Sequence, residues 1–206
     1  DPIWQGPVTG TNAVRVLRSP MRTTLVKRLL AGESSVWIMV ESGNLAEDEK
    51  AAKNLVHLIG QAGRELKIPE GIIGHNELAS GRPLSPAEAD NVLQSEIPLK
   101  IDFSLLRISR NDPEEAVLLG MLLNVEHDLG DFAGKPMVFP AFGRGRVLEP
   151  LIGAGMTEDN VMFAAGYLCG ACSCQVEDEN PGVDLLLAAN WDEAIAGSEV
   201  VMDKVL

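Results

Sequence analysis

DFAGKPMVFPAFGRGRVLEPLIGAGMTEDNVMFAAGYL, residues 131–168, is the stretch that decides the fold. An apolar run from Met137 to Phe142 predicts a buried strand, and the glycines of Gly143 to Gly145 predict a hairpin turn after it. The chain then returns as a second strand from Val147 to Ile152, and Thr157 is a typical N-cap for the helix that follows. This order of strand, turn, strand and helix predicts one half of an α/β domain.

The residues before this stretch predict the other half. Val36 to Val40 is a continuous apolar run, which is typical of a central strand covered on both faces. Asn44 and Glu47 have the spacing of a capping box, and apolar residues then recur at helical spacing as far as Leu66. Residues 100–110, KIDFSLLRISR, predict a further strand.

Two more helices are predicted from their first residues. Ser19 and Pro20 begin a helix that ends at Gly32. The sequence Asp112-Pro113-Glu114-Glu115 begins the other, whose apolar positions are Val117, Leu118, Met121, Leu122 and Val125. The chain therefore alternates strands and helices up to residue 131.

The organisation expected from these patterns is one main domain at residues 19–168. A loop and short helix are inserted at about 68–97, and a cysteine-containing extension occupies 169–206. Residues 1–18 are interpreted as the tail of a preceding element, because IWQGPVT predicts a lone strand, followed by a short helix from Thr9 to Leu17. We expect residues before Asp1 to have been removed.

Residues 34–168 resemble a thioredoxin in the order of their elements and in the proline that precedes the hairpin. The resemblance implies a central mixed sheet flanked by helices, here with appendages before and after it. Pro136 stands where that family carries its cis-proline. In contrast, Pro140 and Pro150 fall inside the two predicted strands, and proline is confined to edges and bulges in a sheet.

The resemblance also predicts where a catalytic dithiol would be, and the sequence lacks it. Thioredoxins place C-x-x-C where a core strand enters the next helix, so that the helix N-terminus stabilises the thiolate. The matching residues are Glu41-Ser42-Gly43-Asn44-Leu45, which contain no sulfur. Ser42 and Asn44 are interpreted as helix-capping residues rather than as the lining of a pocket.

All the cysteines lie instead in YLCGACSCQV, at Cys169, Cys172 and Cys174. This position follows the last predicted helix of the domain, where the helix dipole disfavours a thiolate. Three interpretations stay open: a structural disulfide with one thiol left over, free thiols without chemistry, and a metal site.

The metal interpretation names Cys169, Cys172 and Cys174 as ligands of zinc, copper or an iron-sulfur cluster. Structural zinc takes four ligands, and only three sulfurs exist. The remaining ligand would come from another chain, from elsewhere in the fold or from the acidic residues 177–179, because the histidines are distant in sequence: His57, His75 and His127.

Composition excludes several classes of partner. The chain has 206 residues, 30 acidic and 17 basic, with a net charge of -13, which repels nucleic acid and anionic membrane surfaces. No apolar run has the roughly 20 residues that cross a bilayer. Gly143-Arg144-Gly145-Arg146 has the composition of an anion-binding loop but is interpreted as a turn. No P-loop, dinucleotide fingerprint or hydrolase motif is present.

GACSCQV and NPGVDLLLAANW, together with SPMRTTLVKRLLAGES and VWIMVESG, are similar to segments of a bacterial protein family without an assigned activity. That resemblance implies a longer natural chain and an extracytoplasmic location in a bacterium. Two functions are therefore expected. The first is a non-catalytic thioredoxin-like module that binds a protein partner or a neighbouring domain, with homo-oligomer formation left open. The second is a thiol-redox or metal protein that acts through the cysteine cluster.

Overall fold

The computed structural model describes residues 2–68, 73, 81–83, 92, 97–169 and 182–194. The helices in these residues are α1 Gly10–Leu17, α2 Pro20–Leu30, α3 Leu45–Glu65, α4 Ala116–Leu122, α5 Glu158–Leu168 and α6 Trp191–Ala194. The strands are β1 Ser35–Val40, β2 Phe103–Ile108, β3 Met137–Phe142, β4 Arg146–Val147, β5 Leu151–Ile152 and β6 Val183–Asp184. Short 3-10 helices span Leu129–Phe132 and Gly153–Gly155.

The strands form one mixed sheet with β1 in its interior. β2 pairs with β1 in parallel, and β3 pairs with the other edge of β1 in the antiparallel direction. β4 and β5 both pair with β3, and β6 pairs with β4. The predicted α/β class is confirmed, because helices flank an open mixed sheet. The prediction that β1 is a central strand is also confirmed, since every residue of β1 is buried.

Alternate residues of β1 face two separate halves of the core. Val36, Ile38 and Val40 pack with the buried residues of α2 and α4. Trp37 and Met39 pack on the opposite face, with α3 and α5. The long amphipathic stripe of α3 therefore covers one face of the sheet, as its periodicity predicts.

The predicted return strand from Val147 to Ile152 is wrong as a continuous element. The chain pairs with β3 as β4, loses regular strand pairing over residues 148–150, where the N–H of Leu148 still donates to the carbonyl of Pro140 at 3.1 Å, and pairs again as β5. Pro150 lies in this gap, and Pro140 of β3 lies opposite it. Proline has no N–H to donate to a neighbouring strand, so it is tolerated where the regular pairing of the sheet is interrupted, as it is here. The peptide bonds of the described residues are all trans, so the bond before Pro136 departs from the family pattern.

The opening segment, residues 2–9, is not the lone strand that its sequence predicts: it contains no strand or helix. It lies against the domain instead, with Trp4 packed on the core. The carbonyl of Ile3 approaches Gly120 of α4 so closely that a Cβ there would collide with it. The predicted helix after this segment is confirmed as α1, which Thr9 caps.

Arg22 fixes the end of α1 to α2. This side chain is 2% exposed, and it donates to the carbonyls of Arg15 and Val16, which lie in the last turn of α1. It also donates to the carbonyl of Leu186, at 3.2 Å. Arg22 therefore joins three separate segments of the chain.

The acidic residues before α4 have a different role from the predicted cap. Asp112 accepts a hydrogen bond from the N–H of Glu114, and no side chain caps α4 directly. The buried Glu115 accepts from the N–H of Met21 at 2.8 Å, so it caps the beginning of α2. Its Oε2 atom has no hydrogen-bond partner in the described structure.

Residues 182–194 contribute to the domain more than their interpretation as an appendage suggests. β6 extends the sheet beyond β4, and Leu185 and Leu187 are buried in the same core half as α2 and α4. Most of the predicted insertion at about 68–97 and the cysteines after Cys169 lie outside the described residues.

Candidate functional site

The loop of residues 41–44, which is the predicted counterpart of the thioredoxin dithiol, lies between the carboxyl end of β1 and the beginning of α3. It continues the sheet for one residue, since the N–H of Glu41 donates to the carbonyl of Ile108 at 2.9 Å. Gly43 has a φ of 92°, which a residue with a side chain adopts only with strain. The loop thus turns sharply before α3 begins.

The buried carboxylate of Asp48 organises this loop from within the first turns of α3. Its Oδ1 accepts the N–H and the hydroxyl of Ser42, both at 2.8 Å, and its Oδ2 accepts the N–H of Gly43 at 3.0 Å. Hydrogen bonds to a charged acceptor are the stronger kind, worth about 1.5–3 kcal/mol each. Asp48 therefore holds the loop in a single arrangement.

Asn44 caps α3, as predicted: its Oδ1 accepts from the N–H groups of Ala46 and Glu47. In a capping box, the side chain of Glu47 would accept from the N–H of Asn44, and this second hydrogen bond of the predicted box is not formed. The N–H of Asn44 donates instead to the hydroxyl oxygen of Ser42, at 3.1 Å. The expectation that Ser42 and Asn44 serve the helix terminus is confirmed by these contacts.

Arg110 connects this loop to the segment before Pro136. Its Nε donates to the carbonyl of Glu41 at 3.0 Å, and its Nη2 donates to the carbonyl of Lys135 at 3.3 Å. Burial lowers the pKa of Arg110, and the charge of Asp48 acts in the opposite direction. One guanidinium thus positions the two loops that meet at the carboxyl end of β1.

Arg107 supports the same end of the sheet from β2. It forms ion pairs with Glu49 and Glu41, each with a shortest N to O distance of 2.7 Å. The hydrogen bond to Glu49 is the main cause that raises the pKa of Arg107, with Glu41 adding to it and burial opposing it. These pairs connect β2, the loop and α3.

The polar groups of this site are committed to the fold. The hydroxyl of Ser42 donates to a carboxylate that also holds two backbone N–H groups, so this hydrogen bond is part of the loop structure. Two apolar side chains stand exposed beside these groups. Leu45, the first residue of α3, is 73% exposed, and Phe132, three residues before Lys135, is 39% exposed.

Cys169 lies at the other end of the sheet. It is the C-cap of α5, and its thiol contacts Ser34, the residue that precedes β1. The six residues of β1 separate Ser34 from the loop at residues 41–44, which corresponds to about 20 Å of strand. The structure therefore does not bring Cys169 to the loop at residues 41–44.

Burial raises the pKa of the Cys169 thiol, and its hydrogen bond with Ser34 acts in the opposite direction. The protonated thiol is the weaker nucleophile and the weaker metal ligand. The other residues of the predicted metal site, Cys172, Cys174 and the acidic residues 177–179, lie outside the described residues, as does His75. Within the described residues, no three His, Cys, Asp or Glu side chains are grouped as a metal ion requires.

The remaining candidates have structural surroundings. Gly143 and Gly145 have φ values of 55° and 101°, so the predicted hairpin turn is confirmed. Arg146 of that turn forms a paired hydrogen bond with the Asp184 carboxylate, at 2.8 and 3.0 Å, and Arg144 contacts Asp192. His57 and His127 are exposed.

Asp48 and Arg110 were missed in the sequence. An acidic residue in the first turn of a helix is common because it complements the helix dipole, so Asp48 carries no distinguishing signal. Arg110 ends the stretch that predicts a strand, as many solvated arginines do, and lies two residues beyond the end of β2. These two residues differ from their neighbours only in their hydrogen bonds to the loop at residues 41–44.

Within the described residues, no helix has the length and apolar character that crossing a membrane requires. Comparison of the chain with protein-family models, curated proteins and solved structures found no match.

Proposed function

We propose that this chain is a non-catalytic, thioredoxin-like binding module whose partner is a protein. The parallel pair β1 and β2, the antiparallel return through β3 and β4 and the helix α5 that follows β5 support the thioredoxin-like assignment. The single observation that carries the functional proposal is the bonding of Asp48 to Ser42 and Gly43. At the position where a thioredoxin has its attacking sulfur, this chain has residues whose hydrogen bonds hold the loop in place.

The proposed contact surface is the exposed part of the two loops that Arg110 joins. Leu45 extends from one loop, and Phe132 precedes the other. Exposed apolar side chains on a rigid, hydrogen-bonded base provide contact area at a low cost in ordering. A partner of this surface presents an apolar side chain to Leu45.

Crosslinking from a defined position tests this proposal. A photoreactive amino acid at Leu45 is expected to capture a specific protein in the native host. The matched control places the same residue at Phe163 of α5, which is 78% exposed on a different helix. The captured protein is then purified, and its affinity for the whole chain is measured directly.

We expect Leu45→Asp to weaken this binding by at least about tenfold, or roughly 1.4 kcal/mol, and Phe163→Asp to leave it unchanged. Equal capture from both positions, or equal loss of affinity in both variants, would refute the proposed surface. Acceleration of disulfide reduction that disappears when the cysteines are replaced by serine would refute the non-catalytic assignment.

A further inference from the structure

A groove on the opposite face of the molecule from α3 combines an apolar wall with a concentration of positive charge. Its volume is about 290 Å³, and it lies between the end of α1, the outer side of α2 and the segment that follows β6. This volume is at the lower end of the roughly 300–1,000 Å³ that is typical of small-molecule sites. The residues that line it are Leu17, Arg18, Arg22, Thr23, Val26, Lys27 and Ala188.

The charge of this groove is the reverse of the charge of the chain. Three of its seven lining residues are cations and none is acidic, whereas the whole chain carries 30 acidic and 17 basic residues. Arg18 and Lys27 are exposed and form no ion pair with any residue that the structure describes. The C-terminal ends of helices favour cations, which explains Arg18 at the end of α1 and Lys27 near the end of α2. It does not explain why both residues line the same groove.

Arg22 adds a fixed charge at the base of the groove. Four of the five guanidinium N–H groups donate within the described structure, to the Ser19 hydroxyl and to carbonyls of α1 and of the segment after β6. The side chain therefore has a single position, and its positive charge lies close to the groove without the entropy cost of ordering a flexible arginine.

The apolar wall limits which anion fits. Leu17, Val26 and Ala188 provide hydrocarbon surface beside the cations, and Leu17 is 57% exposed. Inorganic anions gain nothing from such a wall, whereas a hydrocarbon body gains roughly 25 cal/mol for each Å² that it buries.

From this combination we propose that the groove is a binding site for a small organic carboxylate with a short apolar body. The carboxylate lies between Arg18 and Lys27 near the buried Arg22, and the hydrocarbon lies on Leu17 and Val26. This site is separate from the proposed partner surface, so either proposal can fail without the other.

Octanoate is the probe that tests this site on the whole chain, by calorimetry and by amide chemical shifts of groove residues. We expect octanoate to bind and to shift the amides of Thr23 and Lys27. Its affinity should fall as ionic strength rises, because exposed charges are screened. Octylammonium and octanol, which match the hydrocarbon without the anion, should bind at least about tenfold more weakly, and so should inorganic phosphate.

Two pairs of substitutions provide the matched comparison. Arg18→Gln with Lys27→Gln should weaken octanoate binding about tenfold, since both exposed charges beside the carboxylate are removed. Lys53→Gln with Arg64→Gln removes two cations from α3 on the other face of the sheet and should change the affinity less than twofold. Circular dichroism establishes that both variants are folded. The proposal is overturned by absent octanoate shifts at the groove, by octanol binding equally well, or by equal effects of the two pairs.

Discussion

Ser42 and Asp48 are joined twice, through the backbone N–H and through the hydroxyl of the serine, both to the same carboxylate oxygen at 2.8 Å. Asp48→Ala should destabilise the protein by about 2–3 kcal/mol, because it leaves the N–H groups of Ser42 and Gly43 without their acceptor. Ser42→Ala removes only the hydroxyl contacts and should cost about 1 kcal/mol. Urea denaturation measures both values. Equal costs for the two variants would contradict the organising role of Asp48.

Arg22→Met should destabilise the protein by about 3–5 kcal/mol, since it removes a positive charge that acts on the buried Glu115 and leaves carbonyls of three residues without a donor. Arg22→Lys should recover little of this loss, because one ammonium cannot reproduce the planar fork of a guanidinium. Lys27→Met, an exposed position on the same helix, is the control and should change the unfolding free energy by under about 0.5 kcal/mol. A small effect of Arg22→Met in urea denaturation would refute the connecting role of this residue.

Gly120→Ala tests whether the opening segment packs on α4. Alanine in a helix interior normally stabilises by about 0.5–1 kcal/mol relative to glycine. Here its Cβ would collide with the carbonyl of Ile3, so we expect a net destabilisation of about 1–3 kcal/mol. Gly130→Ala, where a Cβ meets no atom within 4 Å, is the matched substitution. Thermal unfolding that is equal in both variants would show that Ile3 does not hold this position.

Cys169 should react slowly with alkylating reagents at neutral pH. In a background of Cys172→Ser and Cys174→Ser, we expect iodoacetamide to modify it more slowly than an unburied thiol, because burial raises the pKa of the Cys169 thiol. This shift also makes stability depend on pH. The contribution of the thiol to the free energy of unfolding is fully present below its unfolded pKa of about 8.5, and it is lost as pH rises through the higher pKa of the folded state. Ser34→Ala should slow alkylation further, since the Ser34 hydrogen bond lowers this pKa. Faster alkylation in that variant would contradict the assignment.

Elemental analysis of the native protein separates the two functional hypotheses. The binding-module proposal expects no stoichiometric metal. Zinc, copper or iron that is lost when Cys169, Cys172 and Cys174 are replaced by serine would establish the alternative. The accompanying stability should then fall with the metal, because metal binding and folding are linked.

Asp184 and Arg146 provide a pH-dependent contact between the hairpin and β6. The hydrogen bond with Arg146 lowers the pKa of Asp184, and burial opposes this. The contribution of Asp184 to the free energy of unfolding is therefore present above its unfolded pKa of about 3.9, and it is lost as pH falls through the lower pKa of the folded state. Because the Asp184 side chain is largely exposed, we expect a contribution of under about 1 kcal/mol. Arg146→Gln should raise the Asp184 titration midpoint measured by NMR, and an unchanged midpoint would contradict the pairing.

The elements that can be predicted from sequence are those whose residue pattern is compatible with only one kind of secondary structure and one degree of burial. β1 is a run of apolar residues that only the interior of a sheet accommodates, and α3 combines a cap with a long apolar stripe. The broken return was not predictable in its details, because Pro140 and Pro150 indicate an interruption without placing it. In the opening segment, the pattern of a strand was overridden by packing against α4.

The candidate site was predictable in position but not in its contacts. The end of β1 and the cap at Asn44 follow from local sequence. In contrast, Arg22 and Arg110 look like their exposed neighbours, because nothing local separates an arginine that binds distant carbonyls from one in water. Arg110 binds carbonyls 69 and 25 positions away, and Arg22 binds the carbonyl of Leu186, 164 positions away; periodicity in the sequence gives no signal for contacts at such separations.

The hydrogen bond between Arg22 and Leu186 spans 164 positions, and this separation has a consequence for the order of folding. Contacts between distant residues form late, since the loop between them must close before they stabilise anything. During synthesis, α2 and β1 emerge long before β6 and the two buried leucines that follow it. The face of the sheet beneath α2 therefore stays incomplete until residue 187 has left the ribosome, and a chain interrupted earlier exposes an unpaired strand edge.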